Sequence, residues 1–303
     1  ALVTESLLAR LHYVVHLAPG APVPDVDLTA LDARVAEATQ SWEDTFTAAV
    51  VDTVGESRAP AVLAVYGNAF PEAYKEEFPA AAAVRDVLEI DRLRPGDIAL
   101  EAYGASGRRL RFKLIQVGQP LSLSRILPTL QCLGVEVADE YPFEIARDGA
   151  PAAWVLDFGL DLPETVVDRD TLNARLTDAF RASWFGRCEA DPYNGLVVHG
   201  GLTWQQVGVI RAYARYLRQI GSGFSQEYIQ RVVIANTDIV RLLVSLFEVQ
   251  FDPSRDGDRE AAAEALVGRI EDGLSGVHIL DHDRIIRSLL AVIQATLRTN
   301  VYA

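Results

Sequence analysis

A chain of 303 residues, 50% apolar and 23% charged, is long enough for two or three domains with sizeable cores and too apolar for extended disorder. Its net charge of −14 and its lack of any basic block disfavour nucleic acid and anionic lipid as partners. No apolar run reaches the ~18 residues of a membrane span, so a cytoplasmic protein is the default expectation.

The chain begins at Ala1 and contains no methionine, so its start reads as a cut or processed end. Leu8–Leu17 alternates and carries β-branched residues, which predicts a strand ended by Ala18-Pro19-Gly20. Asp27 can cap one long helix whose apolar positions Leu28, Leu31, Val35, Trp42, Phe46 and Val50 keep helical spacing up to Gly55. Further helical stretches follow at Ala59–Phe70, Ala73–Phe78 and Ala80–Leu93, the last closed by Pro95-Gly96.

From Asp97 the period becomes two. Asp97–Tyr103 and Arg109–Gln116 flank the turn-rich GASGR, a hairpin with Arg109, Arg111 and Lys113 on one face and Leu110, Phe112 and Leu114 on the other. That pattern predicts one buried face. Ser122 or Ser124 can cap a helix carrying Ile126, Leu127, Leu130 and Leu133, stopped at Gly134; Val135–Ile145 and Ala152–Leu160 then return to strand. The order defines a small α+β unit with a mixed or antiparallel sheet and a helix on one face.

After Pro163 the pattern is all-helical. Thr171 opens a helix through Leu172, Leu176, Phe180 and Trp184, Thr203 and Gln206 form a capping box for Trp204–Ile220, and Ser225 caps the next helix. That helix pauses near Asn236-Thr237 and resumes to Phe251, and two more follow at Ala261–Leu274 and from Arg284. The closing stretch, Arg287–Ala303, has an apolar side through Ile286, Leu289, Leu290, Ile293 and Leu297 and no stop signal, so it reads as a junction. The resulting fold class is α+β. The predicted divisions are a strand of a preceding or shared sheet (1–20), a helical connector (21–95), the α/β unit (96–162) and a helical domain (163–303).

No sequence feature predicts a catalytic centre. There is no G-x-G-x-x-G after a strand and no Walker loop; Gly200-Gly201 reads as a helix stop, and the two lysines, Lys75 and Lys113, lie outside Gly-rich loops. Cys132 and Cys188 stand far apart, as expected of reduced thiols. His278 and His282, four apart beside Asp281 and Asp283, allow a metal reading, against which stands a helix entry with one aspartate as N-cap. No metal is expected. His12, His16 and His199 read as structural or surface residues. Arg211, Arg215 and Arg218 make a stripe that could bind a carboxylate but is expected to form ion pairs with the many acidic residues.

Leu110–Ile145, LRFKLIQVGQPLSLSRILPTLQCLGVEVADEYPFEI, has the strand, Pro-containing loop, helix, Leu-Gly-Val and strand order that resembles an ACT-type, ferredoxin-like domain. AWVLDFGL, the run from Leu176 to Gly221, FSQEYIQ, NTDIVRLLVSLFEVQFDP and ATLRTN follow in order, and SWEDTF and FPEAYKEEF precede them. Together they resemble the region before the catalytic core of the large bacterial NAD-specific glutamate dehydrogenases. The resemblance implies a parent that binds NAD and converts L-glutamate to 2-oxoglutarate and ammonium, with no catalytic or cofactor-binding residue in this chain. It also implies regulation, a homo-oligomer (a tetramer), and an amino-acid effector at a loop comprising Gln116, Gly118, Gln119, Pro120 and Ser122. Leu121 stands where effector-binding ACT loops carry glycine, so a packing role is the alternative for that loop. A free-standing amino-acid sensor is the competing function.

Overall fold

The computed structural model describes residues 27–164 and 169–302. The predicted strand at Leu8–Leu17, with His12 and His16, lies outside them. Asp27 caps α1 (Leu28–Thr39) as expected, its Oδ1 accepting from the backbone N–H groups of Thr29 and Ala30. The single long helix expected here is instead two. Ser41 caps α2 (Trp42–Val54) in a reciprocal capping box with Asp44, and a new cap ends the preceding helix because its residue sits in extended backbone. The helical spacing ran across the break because both helices keep similar periodicity.

α3 (Ala59–Tyr66), α4 (Glu72–Glu77) and α5 (Ala80–Arg92) complete the first helical layer. Its centre is aromatic. Trp42, Phe46, Phe70, Tyr74 and Phe78 meet in successive ring contacts of 4.8–5.4 Å between centroids, and the Trp42 indole N–H donates to the Phe78 carbonyl. Phe143, from the sheet, joins the cluster edge-on to Tyr74 and Phe78.

Among the described residues the sheet has four strands: β1 (Ile98–Ser106), β2 (Arg109–Val117), β3 (Glu136–Ile145) and β4 (Ala153–Asp161). Their spatial order is β1-β2-β4-β3 and every neighbouring pair is antiparallel. Since β4 opposes both β2 and β3, those two run the same way, and α6 (Leu123–Cys132) is the crossover between them, a split βαβ unit. The strand that closes the sheet beside β2 precedes it in the chain, joined by a tight turn at Gly107, whose φ of 59° suits glycine.

Both faces of this sheet are buried, not the single face the alternation predicts. On one, Leu110, Phe112 and Leu114 with Leu156, Phe158 and Leu160 pack under α6 and α7 (Arg169–Trp184). On the other, Ile115, Val117, Val155, Phe143 and Ile145 pack against the first helical layer. Lys113 and Arg111 lie on this second face and stay buried or half-buried because carboxylates meet them there. Alternation of polar and apolar residues cannot distinguish a solvated face from one whose charges are internally paired.

Beyond the sheet the helices continue the first-named core without interruption. A short 3₁₀ turn at Pro192–Gly195 leads into α8 (Leu196–Gly200), closed by Gly201 at φ 62° as the Gly-Gly pair predicts. α9 (Trp204–Gln219) carries the expected Thr203–Gln206 capping box, and Ser225 caps α10 (Gln226–Ala235). α11 (Thr237–Phe251) follows across the Asn236 break, then α12 (Arg259–Ser275) and α13 (Leu280–Gln294). α13 differs from expectation at both ends. Ile279, not an aspartate, sits at the N-cap, with Asp281 and Asp283 in the first turn where the helix dipole favours them. The helix stops at Gln294: the Thr296 hydroxyl donates to the Val292 carbonyl and meets the Tyr213 hydroxyl, and Leu297 stands 90% exposed.

Candidate functional site

The predicted effector loop is an exposed connection between β2 and α6. Gln116 pairs in register with Trp154 of β4, and Gly118, at φ 96°, donates its N–H to the Ala152 carbonyl while its own carbonyl accepts from the Trp154 indole. Gln119 and Pro120 are exposed; Leu121 tucks against the core under the sheet. Ser122 occupies the N-cap of α6 without capping a backbone N–H. Its hydroxyl pairs with that of Ser124 at 2.7 Å, so neither serine serves as the side-chain cap the sequence suggested.

The densest chemistry lies on the sheet's second face. Lys113 Nζ donates to both oxygens of Asp86 of α5 at 3.1 and 3.0 Å, and each residue is 2% exposed. The Tyr74 hydroxyl donates to Asp86 Oδ2 at 2.5 Å, and burial, then Asp86, pushes that phenol far above its ordinary range. Phe78 and Tyr103 lay their rings 4.2 and 5.4 Å from the ammonium. Beside this group Arg111 donates from Nε and Nη2 to Asp157 Oδ2 and from Nη1 to Asp139, with Tyr141 5.2 Å from its guanidinium. Burial raises the Asp157 carboxyl, an effect opposed by Arg111.

These pairs tie β2 to the first helical layer and to β4 and β3. They do so with charges already spent on one another, so the face is a structural clamp rather than a reactive centre. Periodicity and motifs do not single out Asp86 or Asp157. The available signal is a lone carboxylate inside an apolar pattern: Asp86 among Ala83, Val87 and Ile90, and Asp157 inside AAWVLDFGL. A cleft of about 350 Å³ opens beside the clamp between α5 and β1, lined by Arg85, Glu89, Arg92 and Glu101 as well as Asp86 and Lys113.

The remaining sequence candidates are dispersed. His278 is exposed, whereas His282 is half-buried with Nδ1 3.3 Å from Asn236 and its ring edge-on to Tyr228. Among the described residues no group of three or more His, Cys, Asp or Glu is placed to hold a metal. Burial holds the His199 imidazole below its ordinary pKa. Both cysteines are free thiols; burial, aided by Asp191, raises that of Cys132 and so disfavours its thiolate. The arginine stripe forms ion pairs, as expected, at Arg211 with Asp191 and Arg215 with Glu189, while Arg218 donates to the carbonyls of Ser222 and Phe224.

An antiparallel sheet with a βαβ crossover, clasped between two helical layers, defines a class of protein, an ACT-like α/β unit set in a helical frame. Family models refine it: the glutamate dehydrogenase ACT3 domain matches residues 97–172, helical motif 2 matches 49–93, helical motif 3 matches 188–253 and the ACT2 domain matches 1–43. The chain belongs to this family of glutamate dehydrogenase ACT and helical-motif domains. It is 37% identical to the NAD-specific glutamate dehydrogenase of Pseudomonas aeruginosa over 99% of its length. It is 35% identical over 99% to that of Halomonas elongata, and 38% identical over 100% to that of Mycobacterium tuberculosis. The chain spans 19–20% of the length of these relatives.

The residues do not fit a nicotinamide dinucleotide. Such sites set the pyrophosphate on a Gly-rich turn between a parallel strand and a helix, and the sequence has no such motif while the sheet's neighbouring strands are all antiparallel. No helix among the described residues is long and apolar enough to cross a membrane.

Proposed function

We propose that this chain is a non-catalytic regulatory and oligomerisation segment of an NAD-dependent glutamate dehydrogenase. The longer protein oxidatively deaminates L-glutamate to 2-oxoglutarate and ammonium, in the cytoplasm, with NAD held by a domain that this chain does not supply. One observation carries the reading: four glutamate dehydrogenase ACT and helical-motif matches fall along a chain one fifth the length of its relatives. The physical support is the clamped sheet, whose buried ion pairs and two apolar faces join the helical layers into one continuous body through which a strain or a contact can be passed.

The regulatory role extends to the loop of Gln116, Gly118, Gln119, Pro120 and Ser122 as the place where an amino-acid effector would dock, within a homo-oligomer, a tetramer by family expectation. Calorimetric titration of the pure chain with the common amino acids separates this reading from a free-standing sensor. Weak heats are expected of the isolated chain, since the proposed effector acts on the assembled longer protein; tight binding of one amino acid with one-to-one stoichiometry would favour the sensor. Sedimentation of the intact protein is expected to give a homo-oligomer, and a monomer would remove the assembly role.

A further inference from the structure

We infer that a cleft between the end of α7 and the outer side of α9 is a binding site for a small organic carboxylate with a short apolar body. The inference stands on the geometry of the cleft and does not depend on a regulatory role. The cleft holds about 640 Å³ and is lined by Arg187, Arg211, Trp204, Val209, Ala212 and Val301 among others.

Two guanidinium groups line the cleft, one with its charge already paired to Asp191 and one without an ion pair among the described residues. Arg211, 6% exposed, is held rigidly: Nε donates to Asp191 Oδ2 at 2.7 Å, and Nη2 donates to Asp191 Oδ1 at 2.9 Å and Asn194 Oδ1 at 2.6 Å. Asp191 is itself fixed by the Tyr193 N–H at 3.1 Å. Nη1 of Arg211 makes no hydrogen bond among the described residues. Arg187, exposed beside Gly186, forms no ion pair among the described residues, and its guanidinium stands 5.0 Å from the centre of the Trp204 ring. The neighbouring carboxylates are already engaged: Asp191 with Arg211, Glu189 with Arg215, and Asp178 with the Trp204 indole N–H at 2.9 Å.

Two guanidinium groups with donors to spare, in a protein of net charge −14, match a carboxylate, whose planar oxygens accept paired N–H donors. A positioned Arg held by a carboxylate keeps its remaining donors aimed, so little entropy is lost when an anion arrives. Trp204, Val209, Ala212 and Val301 add apolar surface to the lining, and its one carboxylate, Glu189, is paired with Arg215, which suits a hydrocarbon body rather than a bare inorganic anion.

Hexanoate, acetate and inorganic phosphate, titrated calorimetrically into the full chain at low ionic strength, distinguish the cases. Saturable one-to-one binding of hexanoate is expected, roughly ten-fold tighter than acetate because its extra methylene groups leave water. Phosphate is expected to bind no better than acetate. Arg187→Gln removes an exposed side chain and is expected to weaken hexanoate by roughly ten-fold while leaving the thermal transition in place. Ala212→Glu, which sets a carboxylate in the wall, is expected to abolish binding. Hexanoate binding that is unsaturable, matched by phosphate, or unchanged in Arg187→Gln would overturn the assignment.

Discussion

Replacing Asp86 by alanine is expected to cost about 3–5 kcal/mol of folding stability, read as a lowered urea midpoint, because it strands a buried ammonium. Lys113 is almost fully buried between Phe78 and Tyr103, and Asp86 accepts its only ion pair among the described residues and the Tyr74 hydroxyl besides. Lys113→Ala leaves the carboxylate stranded instead and is expected to fall in the same range. The pair itself contributes less than either loss suggests, since desolvating two charges offsets most of their attraction. Tyr74→Phe, Asp86→Leu and Lys113→Met made together are therefore expected to restore stability to within about 1 kcal/mol of the parent or above it. A triple variant as unstable as Asp86→Ala would contradict the clamp.

The second large effect lies on the opposite face. Phe112, fully buried, meets Phe180 of α7 at 5.2 Å between ring centroids, and Phe180 in turn stacks on Trp184 at 5.8 Å. Phe112→Ala is expected to cost about 3–5 kcal/mol, the lost transfer of a phenyl ring plus a cavity that strands and helices around it cannot fill. Trp184 fluorescence is expected to shift in the folded state, reporting the loosened contact between sheet and helix. Leu297→Ala, at a side chain 90% exposed, is the matched control and is expected to stay within about 0.5 kcal/mol of the parent. Equal losses at the two positions would mean that the core does not run through the sheet as described.

Local rules written in neighbouring residues were legible. The capping box at Thr203 and Gln206, the cap at Ser225, the glycine stop at Gly201 and the pause at Asn236 all depend on a few adjacent residues, and each is found as expected. The order of strands and helices around the sheet was equally readable, because period two and period 3.6 differ over a handful of positions.

What escaped the sequence depends on distant partners. The second buried face of the sheet rests on Asp86, 27 residues before Lys113, and on Asp157, 46 residues after Arg111. Nothing near β2 announces either partner. The end of α13 fell short because Thr296 bonds Val292 and meets Tyr213 of α9, a contact 83 residues away, before the apolar stripe reaches Leu297. For the effector loop, the resemblance supplied the position; the residues themselves show a strand end, a left-handed Gly118 and a serine pair, none of which names a ligand. Arg187 gave no signal at all, since its meaning comes from lying beside Trp204 and Arg211 across a fold.

The proposed function assigns glutamate oxidation to residues outside this chain. Its most direct test is to add L-glutamate and NAD to the purified 303-residue chain and follow NADH absorbance, with the intact dehydrogenase run alongside. NADH is expected from the intact protein and none from the chain. Steady, glutamate-dependent NADH formation by the chain alone would contradict it.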